Sequence, residues 1–167
     1  QMFNQAGALV HVYTDGSVML NHGGTEMGQG LHTKVMQVVA DVFGLPLDAI
    51  RISSTDTSKV PNTSATAASS GSDLNGKAAE AAALAIRQRL VDFAAQRHAV
   101  PAASIRFAAG QVDLGDGRQI RFAELARAAY GARISLSSTG FYRTPKIHWD
   151  ARSLTGRPFF YFAYGMA

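Results

Sequence analysis

Residues 72–98 constrain the fold more than any other stretch. They contain no proline, and six of the eight residues from Ala78 to Ala85 are alanine. Ala78, Ala82, Ile86, Leu90 and Phe93 recur at helical spacing, while Lys77, Glu80, Arg87, Arg89, Asp92 and Arg97 fill the remaining face. This predicts a long helix starting at about Ser72–Asp73, either of which can cap it. Alanine side chains are small, so another backbone can approach the N-terminal half of this helix closely. A chain of 167 residues has room for one domain with a sufficient core of its own.

The rest of the chain alternates short strands and helices. Ala8–Thr14 and Ser17–His22, joined by Asp15-Gly16, read as a hairpin with a type I′ turn. Leu31, Val35, Val38 and Val42 predict a helix that Gly44 and Pro46 end. Ile50–Ser54, Ser104–Ala108, Gln111–Leu114, Arg118–Arg121 and Ile134–Phe141 read as strands, and Phe122–Tyr130 as a short helix. Residues 145–158 read as irregular, and the aromatic run Phe159–Tyr164 as a strand. Nothing follows that aromatic strand to cover it, so either an earlier strand covers it or the chain continues, and the opening Gln1 suggests a cut piece.

Two loops carry the chemistry. Gly23-Gly24-Thr25-Glu26-Met27-Gly28-Gln29-Gly30 runs from a strand into a helix. Its glycines let a ligand approach the backbone, and the helix N-terminus favours an anion near Gly28–Thr33. It is no Walker A loop, because no Gly-Lys-Ser/Thr follows. It matches the dinucleotide fingerprint only at Gly28 and Gly30, with Asp56 a distant candidate for the ribose acid. The second loop lies in residues 53–72, where eleven of twenty residues are Ser or Thr. Thr63–Ser72 again feeds a helix, and its hydroxyls and N–H groups suit a ligand rich in acceptors. Glu26 reads as a first-turn dipole partner or a support for the glycine loop rather than a catalytic acid. No catalytic triad follows from spacing. On the residues alone this is an α/β domain with two anion-friendly loops. One reading is a stand-alone phosphate- or nucleotide-binding module using the Gly28–Gly30 loop.

Composition narrows the classes. With no cysteine, the chain offers no disulfide, thiolate metal site or cysteine nucleophile, and it fits a reducing compartment. No apolar run approaches the ~20 residues of a membrane span. The net charge of +4 is spread over single arginines, without the dense basic track that nucleic acid calls for. The five histidines form no i,i+4 ligand pair and read as scattered core or surface residues.

The segment Gly23–Lys34 closely resembles a molybdopterin-binding segment of the xanthine dehydrogenase family of molybdenum hydroxylases. So do Val60–Ser69 with Asp73-Leu74-Asn75-Gly76, Thr139–Pro145 and Pro158–Gly165. These stretches, in family order, span residues 7–167. The resemblance implies an α+β fold, a two-layer α/β sandwich with short mixed sheets and two main helices. It implies that residues 1–167 form a single molybdopterin-binding domain, cut from a larger C-terminal catalytic region. It further implies a molybdenum–molybdopterin cofactor contacted by Met27, Gly28 and Gln29 and by Thr66, Ala67, Ala68 and Ser69, with the Ala68 backbone near molybdenum.

The implied activity is hydroxylation of hypoxanthine or xanthine toward urate in purine catabolism, in the cytoplasm. FAD and 2Fe-2S clusters, and the other domains or subunits that complete the enzyme, belong to other parts of the parent protein. The family's catalytic glutamate stands in a Gly-Glu-Pro-Pro segment that this sequence lacks, so no catalytic residue is expected here and the piece alone is expected to be inactive. Ser70-Gly71-Ser72 departs from the family pattern, and residues 99–121 read as a family-variable insertion. The low charged share, 17%, fits a domain covered by neighbours.

Overall fold

Residues 3–59, 62–145 and 148–157 are described by the structure, a computed structural model. The strand expected over Phe159–Tyr164, the Pro158–Gly165 motif and Val60-Pro61 lie outside them. The elements run β1 (Gln5–Val12), β2 (Val18–His22), α1 (Leu31–Phe43), β3 (Ile50–Ile52), α2 (Gly71–His98), β4 (Arg106–Ala108), β5 (Gln111–Asp113), β6 (Gln119–Arg121), α3 (Phe122–Gly131), β7 (Ser137–Arg143), β8 (His148–Asp150) and β9 (Thr155–Arg157).

A four-stranded mixed sheet in the order β3-β2-β1-β7 forms one layer. β1 is antiparallel to β2 and to β7, whereas β2 and β3 are parallel. The parallel pair makes β2–α1–β3 a strand–helix–strand crossover, which places the glycine loop at the carboxyl end of β2. Open α/β sheets present ligands at such strand ends. The buried sheet face carries Ala6, Ala8, Val10, Val12, Val18, Leu20 and Ile50.

The long helix α2 lies against β7, β1 and α1. Its alanines do what their size allows. A Cβ placed on Gly140 of β7 would stand 2.0 Å from the Ala78 carbonyl oxygen and 2.6 Å from the Ala82 nitrogen. Strand and helix backbones therefore nearly touch, and Gly140 and the alanines require one another. The helix starts earlier than Ser72–Asp73. Its N-cap is Ser70, whose hydroxyl donates to the Ala67 carbonyl instead of capping the helix.

A second unit, the antiparallel sheet β4-β5-β6 with α3, docks on the end of α1. Gly44 ends α1 in a left-handed conformation, and the N–H groups of Gly44 and Leu45 return to the Asp41 and Ala40 carbonyls. The Gly44 carbonyl then accepts the Gly110 N–H at 2.7 Å. The Phe43 and Phe122 rings meet at a tilt with centroids 5.6 Å apart, and Phe107 meets Phe122 at 6.2 Å. The Arg87 guanidinium covers the Phe107 ring at 5.0 Å. Residues 99–121 thus contribute Ile105, Val112 and Leu114 to the buried core.

Three local expectations are corrected. The first hairpin does not close with a type I′ turn, which needs positive φ at both Asp15 and Gly16. Only Gly16 has it (φ 87), because the Asp15 carboxylate accepts the N–H and hydroxyl of Ser17 and fixes a three-residue loop. The last main strand begins at Ser137 rather than Ile134. Residues 134–136 instead cap α3 and meet β1, while Arg89 donates to the Ser135 and Ser137 carbonyls. Residues 145–158, expected to be irregular, contain the hairpin β8–β9, turned by Asp150 through the Arg152 N–H and the Ser153 hydroxyl. Among the described residues no helix is long and apolar enough to cross a membrane.

Candidate functional site

The glycine loop is held by its own polar atoms. The Glu26 carboxylate accepts the N–H groups of Gly28 (2.9 Å), Gly30 (3.0 Å) and His32 (2.9 Å). Those donors, the His32 N–H foremost, keep the carboxyl below its ordinary range. Gly30 caps α1 in the left-handed region, φ 73, without a side-chain bond. The N-terminus of α1, expected to attract a ligand anion, therefore already has one from the chain itself. This removes the observation on which a stand-alone phosphate- or nucleotide-binding module would rest. Asp56, the candidate ribose acid, is turned into its own loop. It accepts from the Ser58 N–H and hydroxyl and pairs with Lys59 at 2.9 Å, which holds its carboxyl at about 2.

Behind the loop lies a pair of histidines that spacing did not bring together. His22 ends β2 and is buried, and its ring meets that of His32 edge-on at 5.1 Å. Its Nδ1 accepts the Gly24 N–H at 3.0 Å, so the neutral ring carries its proton on Nε2. Burial, helped by His32 and opposed by Glu26, lowers the imidazole from 6.5 to about 4. Both Nε2 atoms are buried without a partner among the described residues.

The hydroxyl loop comes back to meet the glycine loop. Thr66 Oγ1 accepts the Thr25 N–H at 2.8 Å, and Thr63 and Ser64 bond the start of β1 through the N–H groups of Gly7 and Gln5. Ala68 (φ 54) and Ser69 (φ 58) are consecutive left-handed residues without being glycine. Each such residue costs on the order of 1–3 kcal/mol and persists only where the surroundings hold it.

Between the loops opens a cavity of about 350 Å³, lined by Met27, Gln29, Thr66, Ala67, Ala68 and Ser69 together with Leu31, Lys34, Gly71 and Ser72. Six of the seven residues singled out in the sequence share this cavity. Gly28, the seventh, stands in the same loop, and a Cβ there would meet nothing within 4 Å. Gln29 folds onto its loop, accepting the Met27 N–H at 2.5 Å and donating to the Thr25 carbonyl at 2.9 Å. Lys34, one turn into α1, is the charged side chain of the lining and was not singled out from the sequence. The lining thus offers an ammonium, three hydroxyls and the first N–H groups of α2, a donor set suited to an anionic polar ligand.

A mixed sheet under two helices, with two loops closing on one donor-rich cavity, defines an α+β cofactor-binding domain. Solved structures share this fold. Quinoline 2-oxidoreductase from Pseudomonas putida 86 matches with a TM-score of 0.74 at 23% identity, over 92% of this chain and 22% of that one. The CO dehydrogenase from Oligotropha carboxidovorans matches with a TM-score of 0.75 at 24% identity, over 84% of this chain and 18% of that one. The family described as the molybdopterin cofactor-binding domain matches residues 1–167, and the chain belongs to it. The chain is 48% identical to the xanthine dehydrogenase/oxidase of Felis catus over 164 residues, 98% of this chain. It is also 48% identical to the xanthine dehydrogenase of Oryza sativa subsp. japonica over all 167 residues. It spans 11% of the length of each of these relatives.

Proposed function

We propose that residues 1–167 form one molybdopterin-binding domain of a xanthine dehydrogenase-like enzyme of purine catabolism, working in the cytoplasm. Met27, Gly28 and Gln29 hold the cofactor from one side, and Thr66, Ala67, Ala68 and Ser69 from the other, with the Ala68 backbone beside the metal. The observation that carries this reading is the convergence of the two loops, about forty residues apart in sequence, on one cavity. The donors fit an anionic pterin cofactor. Lys34 and the first residues of α2, Gly71 and Ser72, line the cavity, and so do Ala68 and Ser69, both held in the left-handed region.

When bound, molybdenum–molybdopterin would supply the redox chemistry that hydroxylates hypoxanthine or xanthine toward urate. This chain's part is to bind and orient. The Gln29 amide ties Met27 to Thr25 and so shapes its loop, and the Ser69 and Ser72 hydroxyls can turn to an acceptor in the cavity. The catalytic base, the purine pocket, FAD and the 2Fe-2S clusters would come from the remaining domains or subunits, so the chain alone is inactive. Gln29→Ala in the full-length protein tests the reading. Molybdenum content or xanthine turnover should fall about 10–100-fold, as for other groups that orient a metal centre. Full metal content with unchanged turnover refutes it.

A further inference from the structure

We propose that Glu26 is a positioning residue that holds the Met27–Gln29 loop in its ligand-ready shape before any ligand arrives, an inference that rests on the cofactor reading only for its consequence. The loop has little packing to restrain it. Side chains placed on Gly28 (φ 93) or Gly30 (φ 73) would meet nothing within 4 Å, and Met27 is exposed. Glycine-rich backbone left to itself samples many conformations. Glu26 removes that freedom by reaching across six residues. One oxygen takes the Gly28 and Gly30 N–H groups and the other takes the His32 N–H, which ties the loop to the first turn of α1. His22 Nδ1 fixes the other end at Gly24, and Thr66 fixes Thr25. The loop thus hangs between His22 and Thr66 at its start and Glu26 at its end, with the cavity-lining Met27 and Gln29 between them. A preset loop need not be ordered by the ligand, which raises affinity without any added contact.

The experiment compares the full-length protein with its Glu26→Gln and Glu26→Asp variants. Glutamine keeps the size but replaces one acceptor by a donor that faces N–H groups. Aspartate keeps the charge but loses the reach. Amide hydrogen exchange in the peptide covering residues 24–34 should accelerate about tenfold or more in both variants, with β1 and β2 unchanged. Loss of molybdenum and pterin on dialysis should speed up about 10–100-fold. If aspartate behaves like the unaltered protein, Glu26 acts only as a charge near the helix end and the proposal falls. Unchanged exchange and retention in both variants also overturn it. If exchange accelerates while the unaltered protein holds neither molybdenum nor pterin, the loop-holding role stands and the cofactor reading fails.

Discussion

Replacing His22 by asparagine isolates the energetic consequence of burying an imidazole behind the glycine loop. Asparagine Oδ1 can accept the Gly24 N–H much as Nδ1 does, but it does not titrate. In the unfolded chain His22 takes up a proton near 6.5, whereas in the folded chain it does so only at about 4. Between these values the unfolded state binds more protons, so stability falls as pH falls. At about 1.4 kcal/mol per pH unit the full loss is on the order of 3 kcal/mol, and most of it falls between pH 7 and pH 4.5. Below about pH 4 both states carry the proton and the loss is complete. The groups facing His22 are His32 and Glu26, and they are present in both proteins, as are the surface carboxylates. Urea unfolding followed by far-ultraviolet circular dichroism at pH 7.0 and 4.5 gives the two stabilities. The unaltered protein should lose about 2 kcal/mol more than the variant over this interval. Equal losses would show that His22 protonates freely in the fold and would refute its burial as a neutral ring.

Two further substitutions test the packing that sets up the site. Gly140→Ala forces a methyl group to within 2.0 Å of the Ala78 carbonyl oxygen. β7 and α2 must then separate, and a loss of about 3 kcal/mol is expected in urea unfolding, at the upper end for overpacked sites. Phe43→Ala removes a fully buried ring that joins α1 to the second unit through Phe122. A loss of about 3–5 kcal/mol is expected, and near-normal stability would mean the second unit does not depend on that joint.

Much of this is legible in the amino-acid sequence. The stop of α1 at Gly44-Leu45-Pro46 could be read because a left-handed glycine followed by proline leaves a helix few continuations. The alanine run announced a close backbone approach, and its partner proved to be Gly140. The two loops were visible as composition: glycine in one, hydroxyls in the other. The first-hairpin turn was misread because Asp-Gly suits two loop types, and the Asp15–Ser17 bonds choose between them. The start of β7 was misread because residues 134–136 alternate like a strand, yet their partners are α3 and β1.

What the chain determined by itself is what depends on local sterics and periodicity: where helices begin and end, where the backbone bends, and which side chains can donate or accept. Glycine, alanine and proline settle these within a few residues. Which loop would meet which, and where charge would stand, depends on contacts between residues far apart in sequence, and only the tertiary structure decided them. The sequence offers the α1 N-terminus as an anion site, but the fold fills it with Glu26. The Thr25–Thr66 bond joins loops forty-one residues apart and closes one cavity between them. His22 and His32 become neighbours because a strand end and a helix start share one wall of the same loop.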